Sequence, residues 1–178
     1  VTVSAAEATA LLGPGDRAII DRTSDFVRSR LRAEPGGPDW WHAERVRRLA
    51  RHIAVAEGAD VLVAEVAALV YDLAAARFGG AEAGAGVVRE WLLRLPAPGP
   101  VLDAVLDVVT RVADRGTGAA DEPLSLAGRC VRDADRLDAM GAVGIARAFA
   151  GGGHAGRKLH DPDEPPLLPA TAAAYPAA

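Results

Sequence analysis

Three side chains able to do chemistry fall where helical spacing or apolar surroundings place them towards an interior: His42, Asp72 and Asp135. At about 100° per residue, His42 sits in an apolar stripe with Val46, Leu49, Ile53 and Ala56, while Arg47, Arg48 and Arg51 point away. An inward imidazole offers a lone pair to a divalent transition metal or a station for a proton, and it also occurs as an ordinary core histidine. Asp72 lies in a stretch where only Glu65, Tyr71 and Asp72 are polar between Val61 and Ala76. Burying that carboxylate unpaired is costly, so a cation or strong donors must face it. A metal ion and an arginine, Arg45 or Arg136, answer that need equally well. Further along, residues 134, 138, 142 and 145 share a face with Val131; Asp135 falls within that face and Asp133 on the opposite side.

The elements that must position these groups are helical. Of the 178 residues, 50% are apolar, mostly Ala, Val and Leu, and only 4% are aromatic, a bias towards helix. Ser4 and Glu7 form a capping box for a short helix through Leu12. Asp16 then caps a helix to about Ala33, with Ile19, Thr23, Phe26, Val27 and Leu31 at helical spacing. Two prolines and two glycines between Glu34 and Pro38 break the chain. Helices follow over about Asp39 to Glu57 and about Asp60 to Arg77, the second apolar nearly all round and therefore central. Past a loop around Gly79 and Gly80, the pattern predicts helices over about Val87 to Leu95 and about Val101 to Arg115. After a loop at Glu122-Pro123, one long helix runs over about Leu126 to Ala150, ended by the Gly151-Gly152-Gly153 triplet. This is one all-α domain of about six to seven helices over residues 1–160, with a Pro/Ala-rich extended tail over 161–178.

Several function classes are disfavoured at once. Charges of both signs are interspersed and the formal net charge is −4, which argues against nucleic-acid binding. No apolar run approaches the ~20 residues of a membrane span, and the start lacks the charged-then-apolar pattern of a secretory signal. The single Cys130 excludes an internal disulfide and a thiolate-rich metal site, so a reducing, cytoplasmic setting is expected. Trp40 and Trp41 are expected to pack against the preceding Pro-Gly loop.

The order His42, Asp72, then aspartates near position 135 resembles the HD superfamily of metal-dependent phosphohydrolases, which carry a His, a His-Asp pair and a later Asp. The likeness extends beyond that order. Asp39-Trp40-Trp41-His42 with Arg45-Val46 resembles the first-ligand helix of a bacterial subgroup, and Ala67 to Ala74 resembles the helix of the paired motif. Ser125-Leu126 and Val131 to Phe149 resemble the final-ligand helix, and Gly156-Arg157 with Asp161-Pro162-Asp163 the loop after it, so that the likeness covers residues 16 to 165. It implies a single HD-domain helical bundle in which His42, Asp72 and Asp135 hold a divalent ion (Mn, Mg, Fe or Zn). Such an ion activates water against a nucleotide-type phosphate ester, whose phosphate Arg45, Arg136 or Arg147 would hold.

Three positions depart from the family. Tyr71 replaces the paired histidine, Ala75 replaces an acidic residue three positions after the aspartate, and Pro38 stands where a histidine is often found. A phenol with pKa about 10 is protonated at neutral pH and a poor ligand for a divalent ion. The expectation is a phosphohydrolase-like protein with weak or lost hydrolysis, Tyr71 filling the vacated ligand position and bonding to Asp72. The other readings are a non-catalytic binding or scaffolding domain, and an enzyme turned to non-hydrolytic chemistry with Tyr71 as acid, base or unusual ligand.

Overall fold

Helical apolar spacing, interrupted by glycine and proline, becomes a chain of helices in the computed structural model, which describes residues 11–31, 39–74, 81–113 and 124–163. Among the described residues there are seven α-helices, one 3-10 turn and no strand. The helices are α1 (Pro14–Arg30), α2 (Trp40–Glu57), α3 (Val61–Val70), α4 (Ala81–Leu92), α5 (Gly99–Ala113), α6 (Leu126–Asp138) and α7 (Gly141–His154), with the 3-10 turn at Tyr71–Ala74 between α3 and α4. The all-α architecture is as expected. The Ser4–Glu7 box, the break expected between Glu34 and Pro38, the loops expected around Gly79 and Gly80 and at Glu122-Pro123, and the expected tail beyond residue 163 lie outside the described residues.

Helix α3 is the axis of the bundle. All ten of its residues are buried, and α1, α2, α5 and α6 pack around it. Fully burying a Val or Leu side chain is worth about 1.5–3 kcal/mol, so this unbroken apolar helix supplies much of the core. Asp60 caps it through Val63 N–H, and Asp39 caps α2 in the same way through His42 N–H. The helix was expected to continue to Arg77, but it tightens into the 3-10 turn at Tyr71. Gly84 of α4 lies against that turn: a Cβ there would collide with the Leu73 carbonyl oxygen and with Ala74. Backbone meets backbone at this point, which accounts for Gly84 within α4 (Ala81–Leu92).

Other boundaries differ for local reasons. Gly13, not Asp16, is the N-cap of α1; Pro14 takes the first helical position and the Asp16 carboxylate reaches back to Gly13 N–H at 2.9 Å. The helix stops at Arg30, where the N–H of Leu31 bonds to Val27 O. On α2 the buried stripe is His42, Ala43, Val46, Ala50 and Ala54, while Ala56 faces solvent. Phe26 stacks on Trp91 with ring centroids 4.2 Å apart, joining α1 to α4.

The single long helix expected over Leu126 to Ala150 is two helices. Gly141, at φ 68°, adopts a left-handed conformation that breaks it after Asp138. Consequently Ala142 and Ile145 are exposed rather than part of the buried face, and the glycine triplet lies inside α7, which runs to His154. Among the described residues, no helix is long and apolar enough to cross a membrane.

Candidate functional site

Three elements deliver the polar interior. The Asp39 cap fixes the first turn of α2 and sets His42, 1% exposed, facing inward. The 3-10 turn supplies Tyr71 and Asp72, and the C-terminal end of α6 supplies Asp135 and Asp138 one turn apart. His42 Nε2 lies 2.8 Å from Tyr71 Oη, 3.3 Å from Asp72 Oδ2 and 3.5 Å from Asp135 Oδ1. Thus His42, Tyr71, Asp72 and Asp135 meet in one cluster. Asp135 is its open side, with 43% of the side chain exposed.

The other edge of the imidazole was not anticipated. His42 Nδ1 lies 2.7 Å from Oδ2 of Asp138, a buried carboxylate. Arg45 donates to both Asp138 oxygens at 2.6 and 3.1 Å, and Arg147 of α7 donates to Oδ2 at 3.0 Å. The signal for Asp138 was its spacing of four from Ala134 on the buried face of α6. A carboxylate on that face needs cations, and those cations are Arg45 and Arg147.

Hydrogen-bond directions follow from the inventory of groups. An ionised carboxylate only accepts, so Asp138 accepts a hydrogen bond from Nδ1–H. Tyr71 donates its one proton to Asp135 Oδ1 at 2.9 Å, and its oxygen is then free to accept from Nε2–H. Arg147 Nη1 comes within 2.9 Å of Nδ1 because both groups converge on the same Asp138 oxygen. Burial disfavours protonation of His42, but Asp72 and Asp138 outweigh it and hold its pKa above the ordinary value, with Arg147 opposing them. For Asp138 burial acts upward, and the bonds from Arg45 and His42 overcome it to hold the carboxyl below its usual range.

Each expected site residue has a definite place. Tyr71 bonds to His42 and Asp135, not to Asp72 as expected, because its hydroxyl reaches across to α2 and α6. Arg45 and Arg147, each about one-third exposed, border the cluster through Asp138. Neither proposed arginine partner of Asp72 fits the expectation: Arg45 goes to Asp138, while Arg136 is exposed and pairs with Asp133 outside the cluster. Trp41 is 61% exposed, whereas Trp40 is partly buried with the Arg28 guanidinium over its ring at 5.7 Å. Arg47 and Arg51 do not point away; both turn to the buried Glu65 on α3.

Whether a divalent ion fits is a question about Tyr71. Such an ion needs lone pairs at about 2.0–2.2 Å from imidazole and carboxylates. Here Nε2 and Asp135 are both engaged on the phenol oxygen. Burial, with Asp72 and Asp135 nearby, pushes the phenol pKa far above its ordinary value and keeps it neutral. As arranged, these donors do not fit a resident ion, and among the described residues no group of three His, Cys, Asp or Glu side chains is spaced to hold one.

The HD-domain family model matches residues 40–140, the span from the first turn of α2 to the break after α6. The chain belongs to the HD-domain family. It is similar to an uncharacterised protein, YpgQ of Bacillus subtilis (strain 168), with 40% identity over 141 residues, covering 78% of this chain and 69% of that one. The crystal structure of YpgQ in complex with ADP matches with a TM-score of 0.70 at 35% identity, covering 84% of this chain and 73% of the other. An HD-superfamily hydrolase from Bacillus thuringiensis matches with a TM-score of 0.67 at 36% identity, covering 85% and 73%.

Proposed function

We propose that this chain is a phosphohydrolase-like HD protein that takes up a nucleotide-type phosphate ester beside Asp135, with metal-dependent hydrolysis weak or lost. One observation carries the reading: the Tyr71 hydroxyl bonds both His42 Nε2 and Asp135, occupying the place between imidazole and carboxylate. Support for the ligand class comes from the ADP complex of the YpgQ relative. The guanidinium groups of Arg45 and Arg147, each about one-third exposed, border the cluster through Asp138, and their planar donors suit phosphate oxygens. With Ala75 in place of an acidic side chain, a proton-transfer group is also missing, a loss typically worth about 10²–10⁴-fold in rate.

The test is metal content after purification without chelator, together with ADP binding and hydrolysis measured with and without added Mn(II). Expected are ADP binding, substoichiometric metal and hydrolysis near background. Tyr71→His should raise divalent-metal affinity, and metal recovery without turnover would assign the remaining defect to Ala75. A tightly held, stoichiometric divalent ion with rapid hydrolysis in the unaltered protein would sink the reading.

A further inference from the structure

Asp138 has no part in the chemistry just described, yet it is the most heavily bonded carboxylate in the cluster. Its side chain is 3% exposed, at the last residue of α6. Two bonds from Arg45 and one from Arg147 fix the plane of the carboxylate, and Oδ2 meets His42 Nδ1 at 2.7 Å. Arg45 stands on α2, one turn after His42, and Arg147 on α7, so the carboxylate is clamped from two helices. An acceptor held this firmly keeps a proton on Nδ1 and fixes how the ring is turned.

We infer that Asp138 is the positioning residue of the site: it holds His42 as an Nδ1–H donor and thereby aims Nε2 at Tyr71, Asp72 and Asp135. The assignment deepens the proposed function, resting on the reading of this cluster as the ligand site. Asp138 itself stands behind the imidazole, at the Nδ1 edge opposite Tyr71, Asp72 and Asp135. It also joins α7, which buries none of its own residues, to the cluster through Arg147. The break at Gly141 matters here, because α7 turns back only after Asp138 and brings Arg147 to the same oxygen.

The experiment is long-range proton–nitrogen NMR of the histidine side chains at neutral pH, with His42 assigned by its loss in His42→Gln. The unaltered protein should show a protonated Nδ1 at His42. In Asp138→Ala the ring loses its acceptor and the donating Arg147 guanidinium, 2.9 Å from Nδ1, still faces it, so Nδ1 must accept and its proton signal disappears. Asp133→Asn, on the opposite side of the same helix, should change nothing. An unprotonated Nδ1 in the unaltered protein overturns the inference without any Asp138 variant, so misfolding of Asp138→Ala leaves the test intact. Retention of the Nδ1 proton in folded Asp138→Ala, or its loss in Asp133→Asn, also overturns it. A protein that shows the Nδ1 proton but binds no ADP refutes the proposed function and leaves the role of Asp138 standing.

Discussion

Helix α2 carries two buried charge clusters that solve the same problem with opposite results. Towards α3, Glu65 is 1% exposed and faces Arg47 and Arg51, with Arg47 shared by Glu44. Towards α6, Asp138 faces Arg45, Arg147 and His42. Burial dominates at Glu65 and raises its pKa despite Arg47, whereas the bonds at Asp138 overcome burial and lower it. The first cluster is enclosed between two helices and works as a strut. The second opens through half-exposed Asp135. Burial and charge pairing alone therefore do not mark a site; an opening onto further polar groups does.

The largest expected effect that sharpens this contrast comes from breaking the strut. Arg47→Met should destabilise the chain by about 3 kcal/mol, near the low end for orphaning a buried charge, because Arg51 Nε remains 3.5 Å from Glu65 Oε1. Denaturant unfolding reads this directly, and ADP binding should persist in the folded fraction. A variant as stable as the parent would show that Arg51 alone suffices and that the strut is dispensable.

Next comes the backbone contact beneath the open cluster. Gly84→Ala would drive a methyl into the Leu73 carbonyl next to Asp72, costing about 1–3 kcal/mol as overpacking and disturbing the His42–Tyr71 bond. Thermal unfolding and the His42 side-chain resonances measure the two parts. Lost stability with an unmoved imidazole would separate the turn from the site.

A smaller difference lies in pH dependence, where the two carboxylates have opposite signs. Asp138, depressed from 3.8, contributes stability that is present above that value and lost as pH falls through its native pKa. Glu65, raised from 4.5, contributes stability that is complete below that value and lost as pH rises through its native pKa. Unfolding free energies across pH should show a shallower acid-side slope in Asp138→Asn and a weaker decline above the ordinary carboxylate range in Glu65→Gln. Unchanged slopes in both variants would refute the contrast. The smallest effect belongs to Arg136→Ala: Arg136 pairs with Asp133 on the surface, so stability should move by no more than about 0.5 kcal/mol and ADP affinity should not change. A marked loss of ADP affinity would extend the site to the outer face of α6.

Much of this was legible in advance. Helical periodicity found the bundle; inward spacing selected His42 and Asp135, an apolar setting Asp72, and the family resemblance Tyr71, and the structure brings the four together. Periodicity misplaced α4 because glycines within a helix read as breaks until a close backbone neighbour explains them. It merged α6 with α7 because a single left-handed glycine leaves the apolar count almost unchanged. Arg47 was assigned to solvent for a related reason: a wheel drawn on one helix does not show that a long side chain bends towards a carboxylate on another.

The amino-acid order by itself determined the helices and the buried histidine, since these depend on local spacing and residue type. Which partners those groups take was decided only in three dimensions. Tyr71 bonds across to α2 and α6 rather than to its neighbour Asp72, and Asp138 collects two arginines from separate helices. Hydrogen bonds depend on distances of a few tenths of an ångström between segments far apart in the chain, and only packing sets those distances.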